Sequence, residues 1–360
     1  MKALVTGQRS MLNRAYNGIT GSGIGHGASV AQVPVPEITA NELLVKVHTV
    51  ALNPTDFKHI DLVSPAHSII GCDYAGEVAE VGSNATDHWK VGDRIAGVAH
   101  GGLFPDKGTF AEYCKVEADL AWKVPDRIAD HEAATYGVSA CTAMQGLYHT
   151  LGLPWPDTPE SPTTATPPPE ILIYAASTAA GLFCVQMAKN AGYRVISTCS
   201  PHSFDLVKSY GADETFDYRS PSAIEDIKKS APNISDAFDG ISEGPSTDFC
   251  AKTLRDGGSV VTLLNRGKSK TPGVEYKLIL AYTLLGHPFA WFPPFGPKFP
   301  AKPSDREALA RFYKLLPSLT TNMKAPPLKV VPGGFEGLTD ALDLLREKKV
   351  SGKKVVVDIV

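Results

Sequence analysis

From Ile171 onward the sequence alternates short apolar runs with amphipathic ones, and no other feature limits the fold so tightly. "ILIYA", "YRVISTCS", "ETFDY", "DAFDGIS" and "SVVTLL" read as strands. The segments between them, "GLFCVQMAKNAG", "FDLVKSYGA", "SAIEDIKKSA" and "STDFCAKTLRDGG", read as helices. Apolar strands that each hand over to a helix specify a parallel sheet covered on both faces. The expectation is a doubly wound α/β domain.

The first 137 residues have a different rhythm. "LLVKVHTVALN", "YAGEVAEVG", "DRIAGVA" and "TFAEYCKV" are β-type runs punctuated by the turn formers "VGSN" and "VGD", which predicts a compact, mostly antiparallel β domain. "HEAATYGVSACTAMQGLYHTLGL" then reads as helix. "PWPDTPESPTTATPPPE" reads as a solvated surface loop. The tail, "LKVVPGGFEGLTDALDLLREKKVSGKKVVVDIV", is strand, helix, turn and strand. One helix between two strands cannot bury its apolar face unaided, so the tail is expected to return to the first domain. The division is therefore a β-rich domain of residues 1–137 and 310–360 and a parallel-sheet domain of residues 138–309.

Two domains need two cores, and 360 residues at 43% hydrophobic supply them. A net charge of −3 offers no electrostatic footprint for nucleic acid or an anionic membrane. The six cysteines are scattered, without a CxxC pair, and read as reduced thiols. "MKALVTGQRS" lacks the apolar core of a signal peptide, and "LILAYTLLGHPFAWF" is too short for a bilayer span and is broken by His287 and Pro288. These features predict a soluble, cytoplasmic protein.

In a parallel sheet of this kind, the turn after the first strand aims backbone N–H groups and a helix N-terminus at whatever binds there. Here the turn is "YAASTAAGLF", whose only glycine is Gly181. Ser177, Thr178, Ala179 and Ala180 are small enough for close approach, and the hydroxyls of Ser177 and Thr178 are candidate donors to phosphate oxygens. Taken alone, the turn fits either a nucleotide site or an ordinary tight strand-to-helix connection. The tip of the second strand, Ser200, Pro201, His202 and Ser203, carries no carboxylate to hold a ribose 2′-hydroxyl. An uncharged, hydroxyl-rich tip favours NADP(H) over NAD(H). "GSGIGHG" (Gly21–Gly27) has the look of a nucleotide loop but no strand before it or amphipathic helix after it, and is expected to be a loop or hairpin.

Several spaced stretches together resemble the medium-chain dehydrogenase/reductase superfamily. They are "LNPTDFK", "IIGCDYAGEVAEVGSNATDHWKVGDRIAG", "GYRVISTCSPHSFDLVKSYGADETFDYR" and "SGKKVVV". "AASTAAGL" and "TCSPHSFD" resemble in particular the fungal trans-acting enoyl reductases of polyketide biosynthesis, the lovastatin enoyl reductase group. The resemblance implies a GroES-like β-rich catalytic domain joined to a Rossmann cofactor domain, and NADPH as the nucleotide. It also implies Ser177 to Ala180 around the pyrophosphate, Ser200 to Ser203 around the 2′-phosphate, and Tyr218 against the adenosine end. Leu264 and Asn265 would lie near the nicotinamide, with Val350 and Ser351 closing the site from the tail and Thr55, Phe57 and Lys58 lining the cofactor.

Zinc alcohol dehydrogenases of the superfamily place a cysteine, a His-Glu pair and a further cysteine or aspartate around a catalytic metal. This chain has "ALNPTDFKHID" in the first region, Cys72-Asp73 in place of the pair, and only Cys114 where a four-cysteine lobe would lie. Zinc requires three or four such ligands at fixed spacing, so no metal is expected; His59 and His67 read as packed or surface residues.

Zinc-free members of the superfamily reduce activated C=C bonds. By the same resemblance Lys58, Thr142 and Asp56 are the candidate catalytic residues. Lys58 would stabilise the enolate or relay its proton, or else contact the cofactor. Asp56 would fix Asn53 or the nicotinamide ribose, and Thr142 would meet the nicotinamide or the thioester carbonyl. Ser139, Thr142, His287, Phe289 and Trp291 would border the acceptor. The implied substrate is a small molecule or an acyl-carrier-bound chain delivered by a polyketide synthase partner. The alternatives are a free-standing quinone or enone reductase, a pathway reductase acting on an imine or aldehyde, and a cofactor-binding protein without redox activity. The prolines of "LLGHPFAWFPPFGPKFP" remove ladder donors at an edge through which relatives dimerise, which predicts a monomer.

Overall fold

A computed structural model describes residues 1–7 and 27–359, in two compact units. The motif "GSGIGHG", apart from Gly27, lies outside the described residues. The first unit comprises residues 1–138, 285–318 and 327–360; the second comprises 139–284 and 319–326.

In the first unit, β1 (Lys2–Thr6) and β2 (Ala28–Gln32) form an antiparallel pair. The main sheet is built from β3 (Glu42–Ala51), β4 (Asp73–Val81), β5 (Arg94–Val98), β6 (Tyr113–Glu117) and β7 (Ala121–Lys123), all paired antiparallel. The expected single helix around residue 140 is broken: Asp130–Ala133 and Val138–Met144 are separate α segments. Gly137 sits in the break because a Cβ there would meet the Asp73 carboxylate at 2.3 Å. That close approach, distant in sequence, overrides the local helical pattern.

The second unit holds one six-stranded, wholly parallel sheet. Its strands are β8 (Glu170–Tyr174), β9 (Arg194–Cys199), β10 (Glu214–Asp217), β11 (Asp236–Asp239), β12 (Ser259–Thr262) and β13 (Glu275–Leu278). Their order is β10-β9-β8-β11-β12-β13, so the chain reverses direction across the sheet between β8 and β11. Central β8 and β12 are buried throughout, as strands covered on both faces must be. β13, at the edge, is half-exposed and has no long apolar run to announce it. The proline-rich loop before β8 is largely exposed but not free: Thr163 N–H reaches the carbonyl of Ala191, and Trp155 packs on Tyr148 with ring centroids 5.2 Å apart.

The remaining strands belong to the first unit: β14 (Phe289–Ala290), β15 (Lys298–Phe299), β16 (Leu328–Val330) and β17 (Lys354–Asp358). β17 joins the main sheet beside β3, and the Gly334–Arg346 helix buries Phe335, Leu338 and Leu342 in the same core as Leu43, Val45 and Val47. The tail therefore packs with the first sheet. The boundary expected at 309/310 lies elsewhere, because residues 285–318 also pack with the first unit. Long-range contacts hold them there. Phe289 stands edge-on to His100, and Arg306 pairs with Glu117 and Asp119.

Candidate active site

The expected cofactor and substrate residues are spread over both units, and each is placed within its own. In the second unit the chain leaves β8 through Ala175, held at φ +60°, and enters the Ala179–Asn190 helix. Thr178 caps that helix. Its hydroxyl accepts from Gly181 N–H at 3.0 Å and donates to the Ala175 carbonyl at 2.9 Å. Thr178 therefore spends its proton on the turn, and of the two hydroxyls expected to reach phosphate only that of Ser177 remains available. Backbone N–H groups of Ser177, Ala179 and Ala180 have no acceptor among the described residues. Half-buried N–H groups at the start of a twelve-residue helix suit an anionic pyrophosphate.

Gly181 explains why one glycine survives in this turn. A Cβ there would meet Ala175 O at 2.6 Å and Ala176 Cα at 2.7 Å, so the helix can lie against the strand end only without one. This is the close-packing role of the third glycine in a dinucleotide fingerprint.

The tip of β9 turns through Pro201–Ser203, with Ser203 N–H bonded to Ser200 O. Ser200 is half-buried and Pro201 and His202 are exposed, whereas Ser203 is buried and withdrawn from any ligand at the surface. Next to this tip, Asp217 is the register partner of Cys199 on β10. Tyr218 follows it, half-exposed, with its ring 5.9 Å from that of Tyr174 and the Arg219 guanidinium 5.6 Å from its centroid. Arg219 donates to both Asp217 oxygens and holds that carboxyl below the usual carboxylate range. Sequence reasoning stopped at Tyr218 and passed over Arg219, although it is the next residue. A 2′-phosphate bound at this strand end would compete with Asp217 for the Arg219 guanidinium. Arg219→Ala is expected to raise the KM for NADPH by about 10-fold and to leave that for NADH nearly unchanged, since a charge-assisted contact contributes roughly 1.5–3 kcal/mol. Parallel titrations with the two nucleotides check this.

At the end of β11, Asp239 accepts from Ser246 and Thr247 hydroxyls and from the Ile241 and Ser242 backbone, and Ser242 in turn accepts Leu263 N–H. This fixes the strand end from which the loop with Leu264 and Asn265 departs. Leu264 is exposed, while the Asn265 side-chain oxygen turns back to Gly267 N–H and closes its own loop. Ser139 and Thr142, of the second unit, lie in the Val138–Met144 helix, 5% and 7% exposed.

In the first unit, Thr55, Asp56, Phe57 and Lys58 share the one-turn Pro54–Lys58 helix. Thr55 and Lys58 are half-buried. Phe57 packs against the core, with the Arg346 guanidinium 5.5 Å from its ring. Asp56 is fully enclosed. One of its oxygens accepts Asn53 N–H at 2.7 Å, and the Cys72 thiol also lies against the carboxyl. Burial pushes its pKa up to about 7, opposed by the Asn53 hydrogen bond. Asn53, one of the two groups Asp56 is expected to fix, is hydrogen-bonded to it. Val350 packs against the same core and Ser351 is exposed.

Phe289 and Trp291 come together with Phe299, His59 and His100 in one aromatic cluster. His287 does not join it. Its ring is largely exposed and pairs with Glu117 at 2.6 Å, at the far end of β6. At the position where zinc relatives carry a glutamate, Asp73 is engaged by the Lys354 ammonium at 3.1 Å. Among the described residues no group of three His, Cys, Asp or Glu side chains is placed to hold a metal ion, and no helix is long and apolar enough to cross a membrane.

Comparison with known proteins agrees with this architecture. Residues 39–126 match the family pattern of the alcohol dehydrogenase GroES-like domain, and residues 179–281 match that of the zinc-binding dehydrogenases. Trans-enoyl reductase TOXD of Cochliobolus carbonum is 44% identical over 259 residues, covering 71% of this chain and 85% of its own. Trans-enoyl reductase resD of Aspergillus sclerotiorum is 37% identical over 349 residues, covering 92% and 97%. Mycobacterial Rv1454c, solved in complex with NADPH, shares the fold at a TM-score of 0.73 and 19% identity, over 99% of this chain and all of that one. The chain belongs to the trans-enoyl reductases of the medium-chain dehydrogenase/reductase superfamily.

Proposed function

We propose that the protein is an NADPH-dependent reductase of an α,β-unsaturated acyl thioester, carried on an acyl carrier domain and delivered by a polyketide synthase. The observation that supports this reading best is 37% identity over 349 residues to a trans-enoyl reductase, an alignment long enough to include both units. The nucleotide choice draws on the uncharged β9 tip and on Arg219 beside it.

When bound, the reduced nicotinamide supplies a hydride for the β-carbon of the enoyl group. The chain's own part is to hold the nucleotide and to manage the charge and proton that follow. The Ser177, Ala179 and Ala180 N–H groups bind pyrophosphate at the helix N-terminus. Lys58 supplies a cation for the carbonyl oxygen as negative charge builds on it, and relays the proton that the α-carbon takes up. Thr142 donates to the thioester carbonyl. Phe289 and Trp291 give the acyl chain an apolar wall. Pro293, Pro294 and Pro297, between β14 and β15, remove ladder donors, and we read the protein as a monomer.

The test is oxidation of NADPH, followed by its absorbance, with an enoyl thioester on a pantetheine arm or with a simple quinone. Turnover of the thioester is expected, and Lys58→Ala should lower kcat on it by about 100-fold. Turnover of the quinone alone would replace the reading with a free-standing quinone reductase. Nucleotide binding without turnover of either would direct the search to imines and aldehydes.

A further inference from the structure

Within the first unit a lysine is almost completely enclosed. Lys354 opens β17 in the run "KVVVD", where a fourth apolar residue would satisfy the core, and is 4% exposed. Its neighbours are as deeply buried: Asp73 at 0%, Asp56 at 1% and Asn53 at 3%. A buried ammonium is tolerated only when paired and fully hydrogen-bonded, so its partners define what it is there for.

Those partners converge on Asn53. Lys354 Nζ donates to Asn53 Oδ1 and, at 3.1 Å, to Asp73 Oδ2. Asn53 Nδ2 donates to the same Asp73 oxygen at 2.8 Å, and Asn53 N–H donates to Asp56 at 2.7 Å. The second Asp73 oxygen takes Val138 N–H at 2.6 Å. Asn53 is the residue that starts the Pro54–Lys58 helix. The turn runs on into the helical His59–Val63, which Arg346 holds through Asp61, so its far end is anchored and its entry is set at Asn53. The start of the helix is therefore placed by what grips its first residue.

We propose that Lys354 is a positioning residue for the reduction: its enclosed ammonium, shared between Asn53 and Asp73, sets where the Pro54–Lys58 helix presents Thr55 and Lys58. Lys354 is too deeply buried to meet the substrate and acts through the side chains it holds, Asn53 above all. The ion pair alone would serve stability equally well with its partners elsewhere. The asparagine between them is what links the pair to the helix.

The test uses Lys354→Met, Asp73→Asn, the pair of them together, and Asn53→Ser. Thermal unfolding, kcat, both KM values and amide exchange of residues 55–58 are read on each. Lys354→Met should melt well below wild type, because the enclosed Asp73 and Asn53 lose the donor they share. The double variant carries neither charge and should recover most of that loss. Asn53→Ser keeps the ion pair and should fold in any case. In both the double variant and Asn53→Ser, kcat should stay down by about 10-fold, with the KM for NADPH within about 2-fold, the pattern of a lost transition-state contact. The amides of residues 55–58 should exchange about 10-fold faster than in wild type.

Wild-type kcat in Asn53→Ser, or unchanged exchange at 55–58 in it, overturns the proposal. If the double variant folds and recovers both stability and kcat, Lys354 is only a counter-ion and the proposal also fails. The proposal rests on enoyl thioester reduction. A wild-type protein that ignores the thioester sinks that reading, whereas amide exchange still judges the positioning.

Discussion

Gly181→Val is expected to weaken NADPH binding by at least about 100-fold and to abolish turnover with it. The atoms a Cβ would strike, Ala175 O at 2.6 Å and Ala176 Cα and O at 2.7 and 2.8 Å, are all backbone, and none can rotate aside. Relief must come from moving the Ala179–Asn190 helix away from the end of β8. That movement carries off the N–H groups of Ala179 and Ala180 and breaks the Thr178 cap, which bonds to Gly181 itself. Overpacking of this kind costs about 1–3 kcal/mol of stability, too little to unfold a two-core protein. Binding should therefore fail before the fold does. Nucleotide fluorescence titration measures the first and thermal unfolding the second. A valine variant that binds NADPH like wild type would remove the helix N-terminus from the pyrophosphate site.

The retained glycine also shows which parts of this chain are legible in its sequence. Alternating runs from Ile171 to Leu264 announce five of the six parallel strands, because central strands and their helices are shaped by local burial periodicity. β13 escapes, since an edge strand needs only one covered face. The break at Gly137 escapes for another reason: it is dictated by Asp73, sixty-four residues earlier in the chain. The placement of residues 285–309 depends likewise on distant partners, His100, Glu117 and Asp119.

Within the site, the same distinction decides what can be read. Thr178 three residues before Gly181 is a local capping pattern, and its hydroxyl could have been assigned to the turn rather than to phosphate. Arg219 stands directly after Tyr218 and was open to notice. Lys354 was not. Nothing in "KKVVV" distinguishes the enclosed lysine from the exposed one before it, and its meaning comes from Asn53 and Asp73, which only the folded sheet brings near.

The second large effect is on stability against pH. His59 and His100, 3% and 6% exposed, are held neutral by burial, with pKa values lowered to about 4 and about 3. In the unfolded chain each takes up its proton near 6.5. Between pH 6.5 and 4 the unfolded state therefore binds more protons at both sites, and stability falls as pH is lowered through that window. Asp56 has the opposite sign. Raised to about 7 by burial, it keeps its proton in the native state up to pH values where the unfolded chain has long lost it, so lowering the pH from 7 toward 4 adds stability. At 1.36 kcal/mol for each pKa unit, the two histidines outweigh Asp56 by about 3 kcal/mol at pH 4; Asp73, also raised by burial, acts on the side of Asp56 in both proteins compared below. The wild-type Tm should accordingly fall as pH drops below 6.5. Asp56→Asn removes the opposing contribution while keeping an oxygen for Asn53 N–H, and should roughly double the loss over the same range. Thermal unfolding of the two proteins from pH 7 to pH 4 measures both slopes. Equal slopes would mean that Asp56 is already ionised in the native protein, and a flat profile in the variant would mean that the two histidines are not held neutral.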